Sequence, residues 1–146
     1  MSKPWYLAGP MTGYAHFNYP SFIEAAESLR AKYFEVVTPV ELDMLDDTFD
    51  KAMASVNGDL LESDIVSETW GTMLARDVKI ITDDCRGVIF LPGWEGSRGA
   101  RLEGFVAVLN SHDFARYVGG GAIERMSPQM VLTKITRHTL EDIRNV

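Results

Sequence analysis

The chain reads as an α/β protein, a flavodoxin- or Rossmann-like three-layer sandwich built on a parallel sheet of about five strands. Three observations carry that expectation. Short apolar runs alternate with helical periodicities along the 146 residues, the pattern that yields parallel strands joined by crossover helices. Glycine- and proline-rich turns follow two of those runs, at 9–13 and 92–99. The composition, 46% hydrophobic and 24% charged, is that of a globular domain, and the length suits one domain with a sizeable core.

Each element has its own signal. Residues 4–8 form a first strand that ends in the turn Gly9-Pro10-Met11-Thr12-Gly13. A helix is expected over 21–31, because Pro20 precedes Ser21, Ser21 and Glu24 have capping-box spacing, and Phe22, Ala25, Ala26 and Leu29 form an apolar stripe. Residues 34–38 make a second strand, stopped by Pro39. An acidic segment follows, with a short helix expected around 49–56. A helix over 69–82 carries Trp70, Met73, Leu74, Val78 and Ile81 as its apolar positions. The uninterrupted apolar run 87–91 reads as a fully buried third strand. Beyond the glycine turn, a helix over 100–109 shows Leu102, Phe105, Val106 and Leu109 at helical spacing. Residues 114–118 give a fourth strand, and Gly119-Gly120-Gly121 a flexible break. Ser127-Pro128 opens a last helix in N-cap and N1 form. Its stripe of Val131, Ile135 and Leu140 is imperfect, which leaves a face for docking or subunit contact.

Charge and cysteine usage exclude several classes. A net charge of −7 argues against a nucleic-acid polymer or an anionic membrane as partner. Residues 41–68 carry nine acids against the single base Lys51, a net −8 that leaves the rest of the chain at +1. This segment leaves the second strand where a ligand would lie, and reads either as a lid or rim or as a solvated surface excursion. Cys85 is the lone cysteine, so no intrachain disulfide forms and a reducing cytoplasm is expected. It reads as a packed small residue rather than a nucleophile. No apolar run approaches membrane-spanning length, and the amino-terminal residues lack a signal-peptide pattern. His16, His112 and His138 lack metal-ligand spacing, so no metal is assigned.

In open α/β sheets ligands bind beyond the carboxyl ends of the strands, which brings together residues 9–13, the segment after Thr38, and the turn 93–99. That last turn, with Gly93, Trp94, Ser97, Arg98 and Gly99, lets backbone N–H groups approach a ligand at a helix N-terminus, and Arg98 reads either as a phosphate contact or as an exposed surface residue. Glu103 shares a helix face with Gly99, Ala100 and Ala107, small residues that leave room for a ligand against its carboxylate. Asp77 falls by angle among the apolar positions of its helix, where a carboxylate needs partners or a raised pKa. Tyr6 alternates with Trp5 and Leu7 on the first strand, and its hydroxyl needs a partner if buried. The turn is neither a Walker A loop nor a dinucleotide fingerprint, and no Gly-x-Ser-x-Gly elbow is present.

These pieces together resemble the nucleoside 2-deoxyribosyltransferase-like family, especially its small phage-associated branch. The resemblance runs from Tyr6 to about Leu109. It rests on Tyr-Leu-Ala-Gly-Pro-Met-Thr-Gly at 6–13, Phe-Asn-Tyr-Pro-Ser-Phe at 17–22, Arg76-Asp77, and Leu-Pro-Gly-Trp-Glu-Gly-Ser-Arg-Gly-Ala-Arg-Leu-Glu at 91–103. It implies a flavodoxin-like fold assembled as dimers or higher oligomers, acting on the N-glycosidic bond of a nucleoside or nucleoside monophosphate by transfer or hydrolysis, without a cofactor. By the same resemblance Glu103 is the nucleophile, Asp77 the acid that handles the leaving base, and Tyr6 the residue that orients the nucleophile. Gly9, Pro10, Met11, Thr12, Asn18, Gly93, Trp94, Ser97, Arg98 and Gly99 fall in the substrate-binding segments. Ser97 has the spacing of the serine that binds a 5′-phosphate in the hydrolase members. Pro10 and Thr12 depart from the Ser and Arg those hydrolases carry in the first turn. The alternative expectation is a nucleotide-binding or sensor module without turnover.

Overall fold

The computed structural model describes residues 2–44, 48–58 and 70–145. Its centre is a five-stranded sheet in the order β2-β1-β3-β4-β5, with β1 at Trp5–Ala8, β2 at Val36–Val37, β3 at Gly87–Phe90, β4 at Asp113–Gly119 and β5 at Ala122–Met126. The first four run parallel, and β5 returns antiparallel to β4. The α/β sandwich expected from the alternation of elements is thus present, with one edge strand reversed. The helices are α1 (Tyr19–Ala31), α2 (Pro39–Asp43), α3 (Thr48–Ala54), α4 (Trp70–Asp84), α5 (Arg98–Leu109) and α6 (Pro128–Arg144).

Strand alternation sorts the core into two layers. Trp5, Leu7, Ile89, Leu91 and Ala115 point to one face and pack against Phe22, Ala25, Ala26 and Leu29 of α1. Tyr6, Ala8, Val88, Phe90 and Phe114 point to the other and meet Ile81 of α4, Ala100 and Ala107 of α5, and Val131 and Ile135 of α6. Period-two alternation on strands buried from both sides is why the runs look continuously apolar in sequence. The lone Cys85 is packed in this second layer, and burial pushes its thiol up to about 12, so it is not a ready nucleophile.

Several local expectations need correction. Helix α1 starts at Tyr19, two residues before Ser21, so Ser21 and Glu24 do not form a cap; Asn18 is the N-cap, in a left-handed conformation and without a side-chain capping bond. Strand β2 is only two residues long. Thr38 is drawn off as the N-cap of α2, its hydroxyl accepting from the Glu41 backbone N–H at 3.1 Å. Gly119-Gly120-Gly121 is not a flexible break but the turn of the β4–β5 hairpin, with all three glycines at positive φ. The apolar positions of α5 also face differently. Leu102, Phe105 and Leu109 are exposed, while Ala100, Glu103, Gly104 and Ala107 are buried. The small residues win the inner face because α5 lies close to the sheet. A Cβ at Gly104 would stand 3.1 Å from the Phe90 ring and 3.3 Å from Ile135. In α6, Val131 and Ile135 are buried as expected, but Leu140 is exposed.

The hairpin generates a first prediction. A side chain at Gly121, at φ +79°, would meet the Ser28 carbonyl oxygen at 2.5 Å, whereas Gly120, at φ +59°, faces open space. Gly120→Ala is expected to cost about 1 kcal/mol for its left-handed backbone alone. Gly121→Ala should cost clearly more, about 2–4 kcal/mol, by adding a clash with α1. Urea denaturation of the two variants checks the difference.

Candidate active site

The strand order 2-1-3-4-5 places a topological switch point between β1 and β3, where chain connections leave in opposite directions and open a crevice at the carboxyl ends. A cleft of about 520 Å³ lies there. Its floor and walls come from the turn after β1 (Gly9, Pro10, Met11, Thr12, Tyr14), the turn after β3 (Gly93, Gly96, Ser97, Arg98, Gly99), and α4 (Trp70, Met73, Leu74, Asp77), with Glu103 of α5 at its base. Eleven of the thirteen residues expected at the site therefore line one cleft or, for Tyr6, bond directly to a residue that does.

Asp77 and Glu103 are both buried, as is Tyr6. The Tyr6 hydroxyl donates to Glu103 Oε2 at 2.7 Å, which answers the demand of a phenol on a strand packed from both sides. Burial pushes the Glu103 carboxyl up to about 8, with repulsion from Asp77 adding to the rise. Burial also raises the Asp77 carboxyl, against the pull of the Arg76 guanidinium. Tyr6 is raised too, first by burial and then by the Glu103 charge. Two buried carboxyl groups at one cleft cannot both ionise cheaply, so their protons leave in two steps that belong to the pair.

Behind the pair stands a relay of ions that the sequence reading left out. Arg76 donates from Nε to Asp77 Oδ1 at 2.9 Å and from Nη1 to Asp43 Oδ1 at 2.9 Å. Asp43, in α2, also accepts a short hydrogen bond from the Tyr19 hydroxyl of α1. Asp43 is 1% exposed, so it does not belong to the solvated acidity of residues 41–68. The signal available in the sequence was its place just after Thr38, at the carboxyl end of β2, on a short helix whose other acid, Glu41, faces outward to Arg30.

The remaining expected residues divide. Ser97 caps α5, its hydroxyl accepting from the Ala100 N–H at 3.1 Å, while the residue also lines the cleft. Arg98 lies over the Trp70 ring, 5.2 Å from its centroid, at the cleft rim. Gly93, at φ +84°, leaves space that the Tyr14 hydroxyl approaches; a Cβ there would be 2.9 Å from it. Trp94 is a correction. Its ring is buried and stacks on Phe90 with centroids 3.9 Å apart, so it supports the turn from the core and does not line the cleft. Asn18 is another. It stands outside the cleft and donates from Nδ2 to the Pro10 carbonyl at 2.9 Å, holding the first turn in shape.

The described part of the acidic segment buttresses that first turn. Gly13 N–H donates to the Gly58 carbonyl at 2.8 Å and His16 N–H to the Ser55 carbonyl at 2.7 Å. Asp46, Asp47, Asp59, Glu62, Asp64 and Glu68 lie outside the described residues, so the lid itself is not described. Three consecutive non-glycine residues, His16, Phe17 and Asn18, hold left-handed φ values there, a costly backbone retained only where surroundings enforce it. Among the described residues, no group of three or more His, Cys, Asp or Glu is arranged to hold a metal ion, and no helix is long and apolar enough to cross a membrane.

A family model matches residues 3–112, which span the sheet's first three strands, both turns and all of the cleft residues. The chain belongs to the family described as a domain of unknown function, DUF4406. Hairpin β4–β5 and α6 lie beyond the DUF4406 match. No curated protein and no solved structure matches the chain.

The raised Glu103 carboxyl gives a prediction with a definite sign. Glu103 is pushed up to about 8 from an ordinary 4.5 together with a raised Asp77, so the pair retains a shared proton that favours folding. That stability is fully present below about pH 4.5 and is lost as pH rises toward 8. Glu103→Gln keeps an acceptor for Tyr6 and removes the titration. Its melting temperature should exceed that of the parent at pH 8, and the gap should close near pH 5. A gap independent of pH across this range would show that Glu103 is ordinary in its ionisation.

Proposed function

We propose that this protein cleaves the N-glycosidic bond of a 2′-deoxynucleoside or nucleoside monophosphate through a covalent glycosyl ester on Glu103, followed by hydrolysis or transfer to a second base. The observation that carries the reading is the pair Asp77 and Glu103 in one cleft at the β1/β3 switch point, with the buried Tyr6 bonded to Glu103 at 2.7 Å. It agrees with the resemblance to the nucleoside 2-deoxyribosyltransferase-like family.

A Glu103 oxygen attacks the anomeric carbon on the face opposite the base. The C1′–N bond breaks, its electron pair leaves with the base, and Asp77 supplies the proton. The transition state has oxocarbenium character, as in retaining glycosidases. A 2-deoxy sugar lacks the electron-withdrawing 2′-hydroxyl, so the cation forms more readily. Water or an acceptor base then attacks the anomeric carbon, the ester C–O bond breaks to regenerate the Glu103 carboxylate, and the proton released by the nucleophile returns to Asp77. Tyr14, Trp70, Met73 and Leu74 offer flat and apolar surface for a base, while Ser97, Arg98 and the N–H groups at the start of α5 suit a hydroxyl or a single phosphate. The cytoplasm, where Cys85 stays reduced, is the expected setting.

The second reading is a nucleotide-binding module without turnover, favoured by Pro10 and Thr12 in the first turn. The two separate cleanly. Incubation with a panel of deoxynucleosides and their monophosphates, followed by chromatography, should release free base. Glu103→Ala should abolish release, and Asp77→Asn should slow it by about 10²–10⁴-fold, the usual scale of general acid catalysis. A mass increase of one deoxyribosyl group on Glu103 would remove the binding-only reading. Heat of binding with no base from any substrate would remove the enzymatic one.

The assembly we propose is a homodimer through α5 and α6. A groove of about 640 Å³ between them is lined by Leu102, Phe105, Ile135 and Ile143, and Arg98 joins it to the cleft. Exposed apolar surface of this kind marks a contact face. Light scattering should give twice the chain mass, and Phe105→Glu should halve it.

A further inference from the structure

The proposed chemistry needs one carboxylate and one carboxylic acid in the same dry cleft. Among the described residues, Arg76 pairs with two buried carboxyl groups, Asp43 and Asp77, and a third, Glu103, shares the cleft with Asp77. If Arg76 served Asp77 alone, Asp77 would be held as a carboxylate and would be a poor proton donor. Arg76 does not serve it alone. Its Nη1 engages the almost fully buried Asp43, at the same 2.9 Å at which its Nε engages Asp77. Tyr19 donates a further hydrogen bond to Asp43, which favours the charged form of that residue.

We propose that Asp43 neutralises Arg76, so that Asp77 and Glu103 together retain one proton, and that Asp43 and Arg76 are therefore positioning residues that keep Asp77 available as the acid. The placement of donors decides where the proton sits. Tyr6 has one hydroxyl proton and donates it to Glu103 Oε2 at 2.7 Å, which favours the charged form of Glu103, although its nearness also draws the Asp77 carboxyl down. Arg76 engages only Oδ1 of Asp77 among its oxygens, leaving Oδ2 as the atom to carry a proton. Among the described residues, the groups that face the pair are Tyr6 from β1, Arg76 from α4, Asp43 from α2 with Tyr19 of α1 behind it, and Arg98 and Tyr14 at the cleft. The raised ionisation of both Asp77 and Glu103 agrees with a proton held between them at neutral pH.

The purpose assigned to this arrangement rests on the proposed glycosidic chemistry, but its measurement does not. Carboxyl-labelled Asp and Glu in the full chain allow the pair's proton to be titrated by carbon NMR without substrate. Asp43→Asn leaves Arg76 uncompensated, so the pair should lose its proton at least about one unit lower, the scale of one adjacent guanidinium. Arg76→Gln should move it the other way. The double variant Asp43→Asn/Arg76→Gln removes both charges and should return it close to the parent value. A purely structural role for Asp43 predicts no such reversal. An unchanged titration in folded Asp43→Asn, or a shift that the double variant fails to reverse, overturns the proposal. Should Asp43→Asn not fold, Arg76→Gln decides, and an unmoved proton there overturns it equally. In the activity arm, the alkaline limb of kcat/KM for base release should move with the NMR titration in each variant. Absence of base release alongside the expected NMR shifts would overturn the glycosidic reading and leave the proton count standing.

Discussion

Carboxyl groups buried at the carboxyl ends of β1 and β3 are the constraint around which this fold is arranged. Removing an ionisable group from water is costly unless a partner meets it. Glu103 is met by Tyr6, Asp77 by Arg76, and Asp43 by Arg76 and Tyr19. Those partners come from β1, α4 and α1, and the groups they satisfy from α5, α4 and α2. The polar cluster thus ties both helical layers together across the end of the sheet. Its members are interdependent, because removing any one changes the charge balance felt by the others.

The small residues of α5 follow from the same constraint. Glu103 reaches its partner on β1 only if the helix lies close to the sheet, and Gly104 sets that approach at the limit allowed by Phe90 and Ile135. The inner face is then taken by Ala100, Gly104 and Ala107, and the large apolar side chains of α5 are left outside. The buried Arg101 ties this helix to α6, bonding to the exposed Asp142 at 2.5 Å and to Thr139 at 3.0 Å. The exposed groove between α5 and α6 is therefore a consequence of how tightly α5 must pack to place its carboxylate.

How much of this was legible in the sequence depends on which force decided each feature. Periodicity placed the long helices and the buried strands well, because burial on two sides leaves a strong signal in Trp5–Ala8, Gly87–Phe90 and the α1 stripe. Asp77 was found by angle, since a carboxylate among apolar positions stands out at helical spacing. The facing of α5 was misread because hydrophobicity alone favours Leu102 and Phe105, whereas backbone proximity favours Ala and Gly. Trp94 sits within the glycine turn yet belongs to the core, a distinction set by its stacking on Phe90 rather than by its neighbours in sequence. Asp43 was hidden inside a strongly acidic segment. What separates it from its neighbours is a partner, Arg76, that lies 33 residues away in sequence, and composition carries no trace of such a pairing.

The same long-range pairing links the two turns of the cleft to a shared electrostatic state. Asp43 is fixed by the chain leaving β2, Arg76 by the helix leading into β3, and Tyr6 by β1 between them. The sheet order 2-1-3 sets these three side by side in space, although they are spread over seventy residues of sequence. A carboxylate pair with a retained proton needs a count of neighbouring charges rather than any one residue. Only a topology that brings several strand ends to one point supplies that count. The proposed acid and nucleophile chemistry draws on the switch point for this reason, and not merely because it is concave. Backbone turns after β1 and β3 form the walls, while the helices that enter and leave it carry the charges.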